Sequence, residues 1–269
     1  MDGIESLTEN RYKDCDIQPE PDLSFLEGWK GILELVNEEG PEKALNETLC
    51  KKYPVSLKHP EKIRIEIYDS FAGSIPVIYV SDTADFEELV VNMAHKGVRP
   101  DNIGETGASF LSGKVNRFMV LSAKPYSNVP AEELGLETEE WLEKSLYIRR
   151  EHECTHYYTK LRYGQANNML HDELMADFTG LYETFGFFKA EWFLRFMGLI
   201  KGSGNRMVYY TDEVSPDVRE KLSILLRSAS EELEKWSETP QFKALTPGER
   251  IQMMCEAGLE GMSGLNKIR

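Results

Sequence analysis

The spacing of hydrophobic residues separates an early part of the chain with strands from a later part that is mostly helical. Alternating or continuous apolar runs predict three strands, at residues 62–68, 76–80 and 116–122. Helical spacing predicts a helix before them, between Leu23 and Val36, and long helices after residue 138. The pattern therefore indicates an α+β fold, in which a small N-terminal mixed sheet with helices is followed by a helix hairpin and a C-terminal helical bundle.

The N-terminal residues do not share this pattern. Residues 1–22 are polar and acidic and contain Pro19 and Pro21, a composition that predicts a disordered or extended arm. Beyond them, residues 23–269 show no repeat and no clear linker. We therefore expect a single domain there, with an α/β lobe at about residues 23–130 and a helical lobe at about residues 138–269.

The longest helical pattern lies in the helical lobe. Thr138 is interpreted as its N-cap, and Gly164 ends it after Tyr163. A short link leads to a second helix that opens near Asn167, so the two helices are expected to form an antiparallel hairpin. Such a hairpin brings the middle of the first helix beside the start of the second.

The first helix of this hairpin contains the pattern His-Glu-x-x-His, formed by His152, Glu153 and His156. Residues four apart lie on one face of a helix, so the two imidazoles can hold one metal ion. Glu153 can reach a water molecule at the same metal, which is the arrangement used in metal-assisted hydrolysis. The histidines share a helical stripe with Trp141 and Ile148, which favours a buried site over two surface histidines.

The second helix offers a further ligand. A catalytic zinc ion takes three protein ligands and a water molecule, and Glu173 and Asp177 are again four residues apart on one face. His-Glu-x-x-His followed by Glu-x-x-x-Asp resembles the gluzincin class of zinc metallopeptidases, over about residues 141–186. The resemblance implies a zincin-like active-site hairpin in which Glu173 is the third zinc ligand. It also implies that Asp177 accepts a hydrogen bond from a ligand histidine and fixes its tautomer.

Longer motifs carry a second resemblance. The runs His-Glu-Cys-Thr-His-Tyr and Asp-Glu-Leu-x-Ala-Asp, at residues 152–157 and 172–177, are similar to those of a group of uncharacterised bacterial proteins. This second resemblance implies no activity.

The gluzincin resemblance also implies two features outside the hairpin. Gluzincins stabilise the oxyanion with a Tyr or His further along the chain, and no histidine follows Glu173 here. Tyr209 or Tyr210 is therefore the expected donor, with Arg206 beside them as a carboxylate or carbonyl contact, while the tyrosines at 157–158 stay alternatives. Zincins also place an edge strand over the metal helix, and the strands at 76–80 and 116–122 are the candidates for pairing with a peptide.

Charge and composition narrow the class of partners and the compartment. The 269 residues carry a net charge of −15, which disfavours nucleic acid and anionic membranes as partners. The N-terminus has neither a basic region nor an apolar run, so no signal peptide is expected, and no stretch is apolar enough for a membrane span. The four cysteines form no close pair, which indicates reduced thiols and a cytoplasmic protein.

Two functional hypotheses follow from these patterns. The first is a Zn²⁺-dependent hydrolase of peptides or other amides, with Glu153 as general base. The second is a regulatory or structural zinc protein without catalysis, whose fourth metal position is closed by His171 or, failing that, Asp172. The sequence leaves the substrate and the oligomeric state open.

Overall fold

The structure, a computed structural model, describes residues 4–13, 15, 23–113, 117–167 and 169–267. The chain divides into two compact units. The first, called the sheet unit here, lies within residues 21–126, and the second, the helical unit, combines residues 127–269 with the chain up to Glu20.

In chain order the elements are α1 (Glu5–Thr8), α2 (Leu26–Glu39), α3 (Pro41–Glu47), β1 (Ile63–Ser70), β2 (Gly73–Val80), α4 (Thr83–Ala94), β3 (Ala108–Ser112), β4 (Arg117–Ser122), α5 (Thr138–Tyr163), α6 (Leu170–Phe185), α7 (Ala190–Phe196), α8 (Val208–Thr211), α9 (Pro216–Ser237), α10 (Pro240–Ala244) and α11 (Pro247–Gly261).

A four-stranded mixed sheet, in the order β1-β2-β4-β3, forms the sheet unit. The outer pairs are antiparallel, and the central pair, β2 with β4, is parallel. Apolar residues of α2 and α4, among them Trp29 and Phe86, pack with Ile78 and Val120 of the central strands into one core. The sheet and the helical region that follows it confirm the α+β prediction.

The strand order contradicts one expectation about substrate binding. The strands predicted at 76–80 and 116–122 are β2 and β4, and each is paired on both sides within the sheet. Their backbone N–H and C=O groups are therefore used by neighbouring strands, and neither strand has a free edge where a peptide can add. The sequence showed the strands but not their order.

The α5–α6 hairpin is the central feature of the helical unit. Helix α5 begins at Thr138, so the N-cap is Glu137 and not Thr138 as predicted, and it ends as predicted at Gly164 with a left-handed conformation (φ 72°). Gly180 of α6 packs directly against the backbone of α5. A Cβ atom there would lie 2.8 Å from the backbone oxygen of Ile148, so only glycine allows this approach.

The remaining helices of this unit pack around α6. Phe178 of α6 contacts Phe188, Trp236 and Phe242 with ring centroids 4.8–6.1 Å apart, which places α6 in an aromatic core. A capping box formed by Thr246 and Glu249 opens α11. Among the described residues, no helix combines the length and the apolar character that crossing a membrane requires.

The described part of the predicted N-terminal arm differs from the prediction. Residues 5–8 form a helical turn, and Tyr12 is only 3% exposed within the helical unit. The segment is polar on average, and this composition gives no sign that one of its aromatic side chains, Tyr12, is buried. Residues 1–3, 14 and 16–22 of the predicted arm lie outside the described residues.

Candidate metal centre

Three side chains converge where α5 and α6 face each other. The Nε2 atoms of His152 and His156 lie 3.1 Å apart. Each faces a different oxygen of Glu173, with Oε2 3.7 Å from His152 and Oε1 3.6 Å from His156. All three side chains are buried, and one ligand atom from each lies within 4.8 Å of the others. The hairpin therefore brings together the three residues that the sequence predicts as metal ligands.

The donor set fits a zinc ion in type and in spacing. Two imidazole nitrogens and one carboxylate oxygen are common ligands of a catalytic zinc site. Ligands at the usual zinc distances in a tetrahedral arrangement lie about 3.3–3.5 Å from each other. The 3.1 Å between the two histidine nitrogens is close to that value, and each nitrogen lies 3.6–3.7 Å from one of the two Glu173 oxygens. Two imidazole nitrogens at this distance also require a proton or a cation between them, because facing lone pairs repel each other.

Asp177 fixes the orientation of the first histidine. Its Oδ1 atom lies 2.9 Å from Nδ1 of His152 and accepts the hydrogen bond of that ring N–H. With Nδ1 protonated, the lone pair of the neutral imidazole is on Nε2, which faces His156 and Glu173. Asp177 is completely buried and is not one of the converging ligands. This placement is the one that the sequence predicts for a residue behind a metal ligand.

Arg206 connects the two carboxylates of α6. Its Nη1 atom donates to both oxygens of Asp177, at 3.0 and 2.8 Å, and Nη2 donates to Oε2 of Glu173. The same Nη1 also lies 3.2 Å from Oγ of Ser127. A guanidinium in this position neutralises part of the buried negative charge and holds both carboxylates in place. The sequence predicts Arg206 near the site but gives no signal for the role of Ser127.

The electrostatics of the cluster stabilise its charged forms. Burial by itself lowers the pKa of His152, but the hydrogen bond to Asp177 and the charge of Glu173 raise that pKa above its ordinary value. Burial raises the pKa of Glu173, but the positive Arg206 and the two histidines bring it below its ordinary value. Glu173 is therefore a carboxylate at neutral pH and is available as a ligand.

The loop before α8, which carries Arg206, is also held by the carboxylate of Glu133. The backbone N–H of Ser203 donates to both oxygens of Glu133, each at 3.1 Å, and the Ser203 hydroxyl donates to the same carboxylate. Arg195 joins them, with Nη1 3.4 Å from Glu133 and 2.7 Å from the backbone oxygen of Lys201. These contacts fix the loop that carries Arg206. The sequence shows no pattern that identifies Glu133 as its anchor.

The structure separates the two adjacent tyrosines of α8. Tyr210 is half-buried, and its hydroxyl is close enough to Glu173 and Arg206 for their charges to shift its pKa. Burial and, next, the charge of Glu173 raise the pKa of Tyr210 well above its ordinary value, so the hydroxyl keeps its proton. Tyr209 is 55% exposed. Of the predicted pair, Tyr210 is the tyrosine whose pKa is shifted by the ligand carboxylate.

The alternative tyrosines on α5 have other surroundings. Tyr157 is completely buried. The ring of Tyr158 faces Gly248 near the start of α11, where an added Cβ atom would lie 3.1 Å from it. Glu153, predicted as the general base, is half-buried beside His152, and its charge contributes to the raised pKa of that histidine.

His171 and Asp172, the candidates for a closed metal site, are engaged elsewhere. Nε2 of His171 lies 3.0 Å from the backbone oxygen of Met254, and Asp172 accepts a hydrogen bond from the hydroxyl of Tyr12. Neither belongs to the group of converging ligand atoms among the residues that the structure describes. Within the part of the chain that the structure describes, neither residue therefore supplies the fourth protein ligand that the second hypothesis requires.

Comparison with known proteins places the chain in a family without giving it an activity. A family model described as "Family of unknown function (DUF7005)" matches residues 38–117 and 115–265, so the chain belongs to that family. No curated protein and no solved structure matches the chain. The function therefore has to be argued from the geometry of the site.

Proposed function

We propose that this member of the family is a zinc-dependent hydrolase that cleaves peptide bonds or other amides. The observation that carries the proposal is the buried convergence of His152, His156 and Glu173, whose ligand atoms lie within 4.8 Å of one another, a donor set common in catalytic zinc sites. The Asp177 carboxylate behind His152 supports it, because ligand histidines in metal sites usually donate their second N–H to such a group.

Glu153 is the proposed general base and then the general acid. Zinc held by the three ligands would lower the pKa of a water molecule and polarise the substrate carbonyl. Glu153 follows His152 directly, is partly accessible, and is not among the converging ligands. Its carboxylate is therefore available to take the proton of the attacking water and to give it to the leaving amine.

Tyr210 is the proposed donor to the developing oxyanion. Its hydroxyl keeps its proton and is close enough to Glu173 for that carboxylate to raise its pKa, and Tyr210 lies on the short helix that follows Arg206. Donors that are already in place where negative charge develops lower the barrier without reorganising. Arg206 already pairs with two carboxylates, so its proposed role is to position Glu173, Asp177 and Tyr210.

Replacing Tyr210 by phenylalanine should lower turnover of an amide substrate by about 10²–10³-fold, the effect of losing one oxyanion donor. Zinc content should stay at the wild-type level, because the hydroxyl is not a ligand. Tyr209→Phe is the matched control, since it removes the neighbouring exposed hydroxyl and should leave the rate unchanged. A larger loss of rate in Tyr209→Phe than in Tyr210→Phe would reverse the assignment.

The proposal includes a reducing, cytoplasmic setting. All four cysteines are free, and three of them are buried. This is what a protein kept among reduced thiols is expected to show.

The direct test is metal analysis of the purified protein followed by an activity screen. We expect close to one zinc ion per chain, hydrolysis of peptide or simple amide substrates, and loss of that activity on treatment with a chelator. Added zinc should restore the activity, whereas calcium should not, because nitrogen ligands favour zinc. Zinc that binds without any water-accessible coordination position, seen by X-ray absorption as four protein ligands, would favour the structural alternative.

A further inference from the structure

The N-terminal segment, defined here as residues 4–13 with Cys15, is fastened to the end of the metal hairpin. Tyr12 is its central residue. The Tyr12 ring packs edge-on against Tyr163, the last residue of α5, with centroids 5.2 Å apart, and against His171 of α6 at 5.6 Å. The Tyr12 hydroxyl donates to Asp172, the residue directly before Glu173. One side chain therefore touches both helices that carry the candidate ligands.

The same segment is also tied to α11. Nδ2 of Asn10 donates to the backbone oxygens of Cys255 and Glu256, at 2.9 and 3.1 Å. Oδ1 of Asn10 accepts from the backbone N–H of Tyr12 at 3.0 Å, which fixes the turn that presents the Tyr12 ring. On the other side, His171 contacts the backbone oxygen of Met254. The first turn of α6 is thus held between the N-terminal segment and α11.

The bond between Tyr12 and Asp172 matters because Asp172 is buried. Only 2% of Asp172 is exposed, and its other recorded hydrogen bond, from the backbone N–H of Asn167, is long at 3.4 Å. A buried carboxylate has already lost its hydration. If it also loses a hydrogen-bond donor, most of the free-energy cost of removing it from water is no longer offset. Burial and the charge of Asp172 raise the pKa of Tyr12, so its hydroxyl remains a donor.

From these contacts we infer that Tyr12 is a positioning residue for the metal centre. It holds Asp172, and with it the first turn of α6, in the conformation that directs Glu173 towards the two histidines. The inference rests on the proposed function only where it treats Glu173 as a zinc ligand. The bracing of α6 itself is independent of the metal.

Tyr12 is expected to increase the fraction of molecules in which the first turn of α6 is ordered. If a fraction of the molecules has this turn frayed, the apparent zinc affinity falls by that fraction, because only the ordered form offers Glu173. A loss of the Tyr12 hydroxyl leaves the ligands unchanged and acts on this population alone. Zinc, by binding the ordered form, should restore the turn.

The test is hydrogen exchange of the full-length protein, first without metal. In Tyr12→Phe, the backbone amide of Glu173, which donates to the Met169 oxygen at 2.9 Å and closes the first turn, should exchange about tenfold faster than in the wild type. Tyr182→Phe is the matched control, because it removes a hydroxyl from the other end of α6 and should leave that amide unaffected.

Zinc affinity provides the second measurement. Tyr12→Phe should bind zinc more weakly by no more than the factor seen in exchange, and saturating zinc should return the Glu173 amide to wild-type protection. Equal exchange at this amide in Tyr12→Phe and Tyr182→Phe would overturn the inference. A wild-type protein that binds no zinc would refute the proposed function, and the exchange of the metal-free proteins would still decide the role of Tyr12.

Discussion

Replacing His156 by alanine is expected to abolish stoichiometric zinc binding. The substitution leaves one imidazole and one carboxylate, and two ligands do not hold a catalytic zinc ion at the strength that three do. The loss should exceed the roughly 10–100-fold that changes behind the ligands produce. Zinc content after gel filtration and competition with a chromophoric chelator measure it. A full equivalent of zinc in the purified His156→Ala protein would show that the assignment of ligands is wrong.

A second histidine provides the control for this experiment. His171 is buried on α6 like a ligand, but its Nε2 atom is bonded to the backbone oxygen of Met254. His171→Gln keeps a polar group at that position and should retain zinc. If His171→Gln lost zinc as His156→Ala is expected to, the closed-site hypothesis would replace the hydrolase. Circular dichroism of both variants shows whether the fold is preserved.

The substitution Glu153→Gln should retain zinc and the fold but lose about 10²–10⁴-fold in hydrolysis rate. The amide has nearly the same shape as the carboxylate but cannot accept a proton. Because Glu153 is half-buried and outside the ligand cluster, its replacement should not disturb the two histidines. Steady-state turnover of an amide substrate by the zinc-loaded variant is the measurement.

A matched glutamate on the same helix makes this result specific. Glu143 is exposed on α5, more than two turns before the histidines, and Glu143→Gln makes the same chemical change away from the site. It should show the wild-type rate. Wild-type turnover by Glu153→Gln would remove Glu153 from the mechanism, whereas loss of zinc in that variant would make it a structural residue.

The part of the site that lies on α5 and α6 was predictable because both ligand pairs follow helical spacing. His152 and His156 are one turn apart, as are Glu173 and Asp177, and regular helix geometry places each pair on one face. Gly164 marks the end of α5 in the sequence, so the antiparallel hairpin follows from a short link. Local rules thus determine most of the arrangement.

Contacts between residues far apart in the sequence were not predictable in the same way. Arg206 was expected near the site, but nothing local indicates that it joins Glu173 to Asp177, 33 and 29 residues away. Tyr12 is 160 residues from Asp172, and its neighbours have the composition of a disordered arm. Such pairings depend on the packing of the whole unit, which hydrophobic periodicity does not encode.

The strand order shows the same limit. Periodicity identified β2 and β4 as strands, and apolar residues on both faces are typical of central strands as well as of strands under a helix. The order of the strands along the chain does not show that β4 pairs with β2 and that β3 lies at the edge of the sheet. The expectation that one of these strands binds a peptide at a free edge came from the gluzincin resemblance. The strand order of the sheet contradicts it.

The helical unit is built from two separate stretches of the sequence, and this limits when it can fold during synthesis. The sheet unit is one continuous segment, so its residues can fold together as soon as they have left the ribosome. Asn10 and Tyr12 are synthesised before the sheet unit, yet their partners are Asp172 and the backbone near Cys255. Tyr12 must wait until Asp172, 160 residues later, has been synthesised, and Asn10 must wait for Cys255, 245 residues later. Closing loops of these lengths is slow compared with local helix formation. A nascent chain released early would therefore contain the whole His-Glu-x-x-His helix while the segment that braces Glu173 had only part of its docking surface.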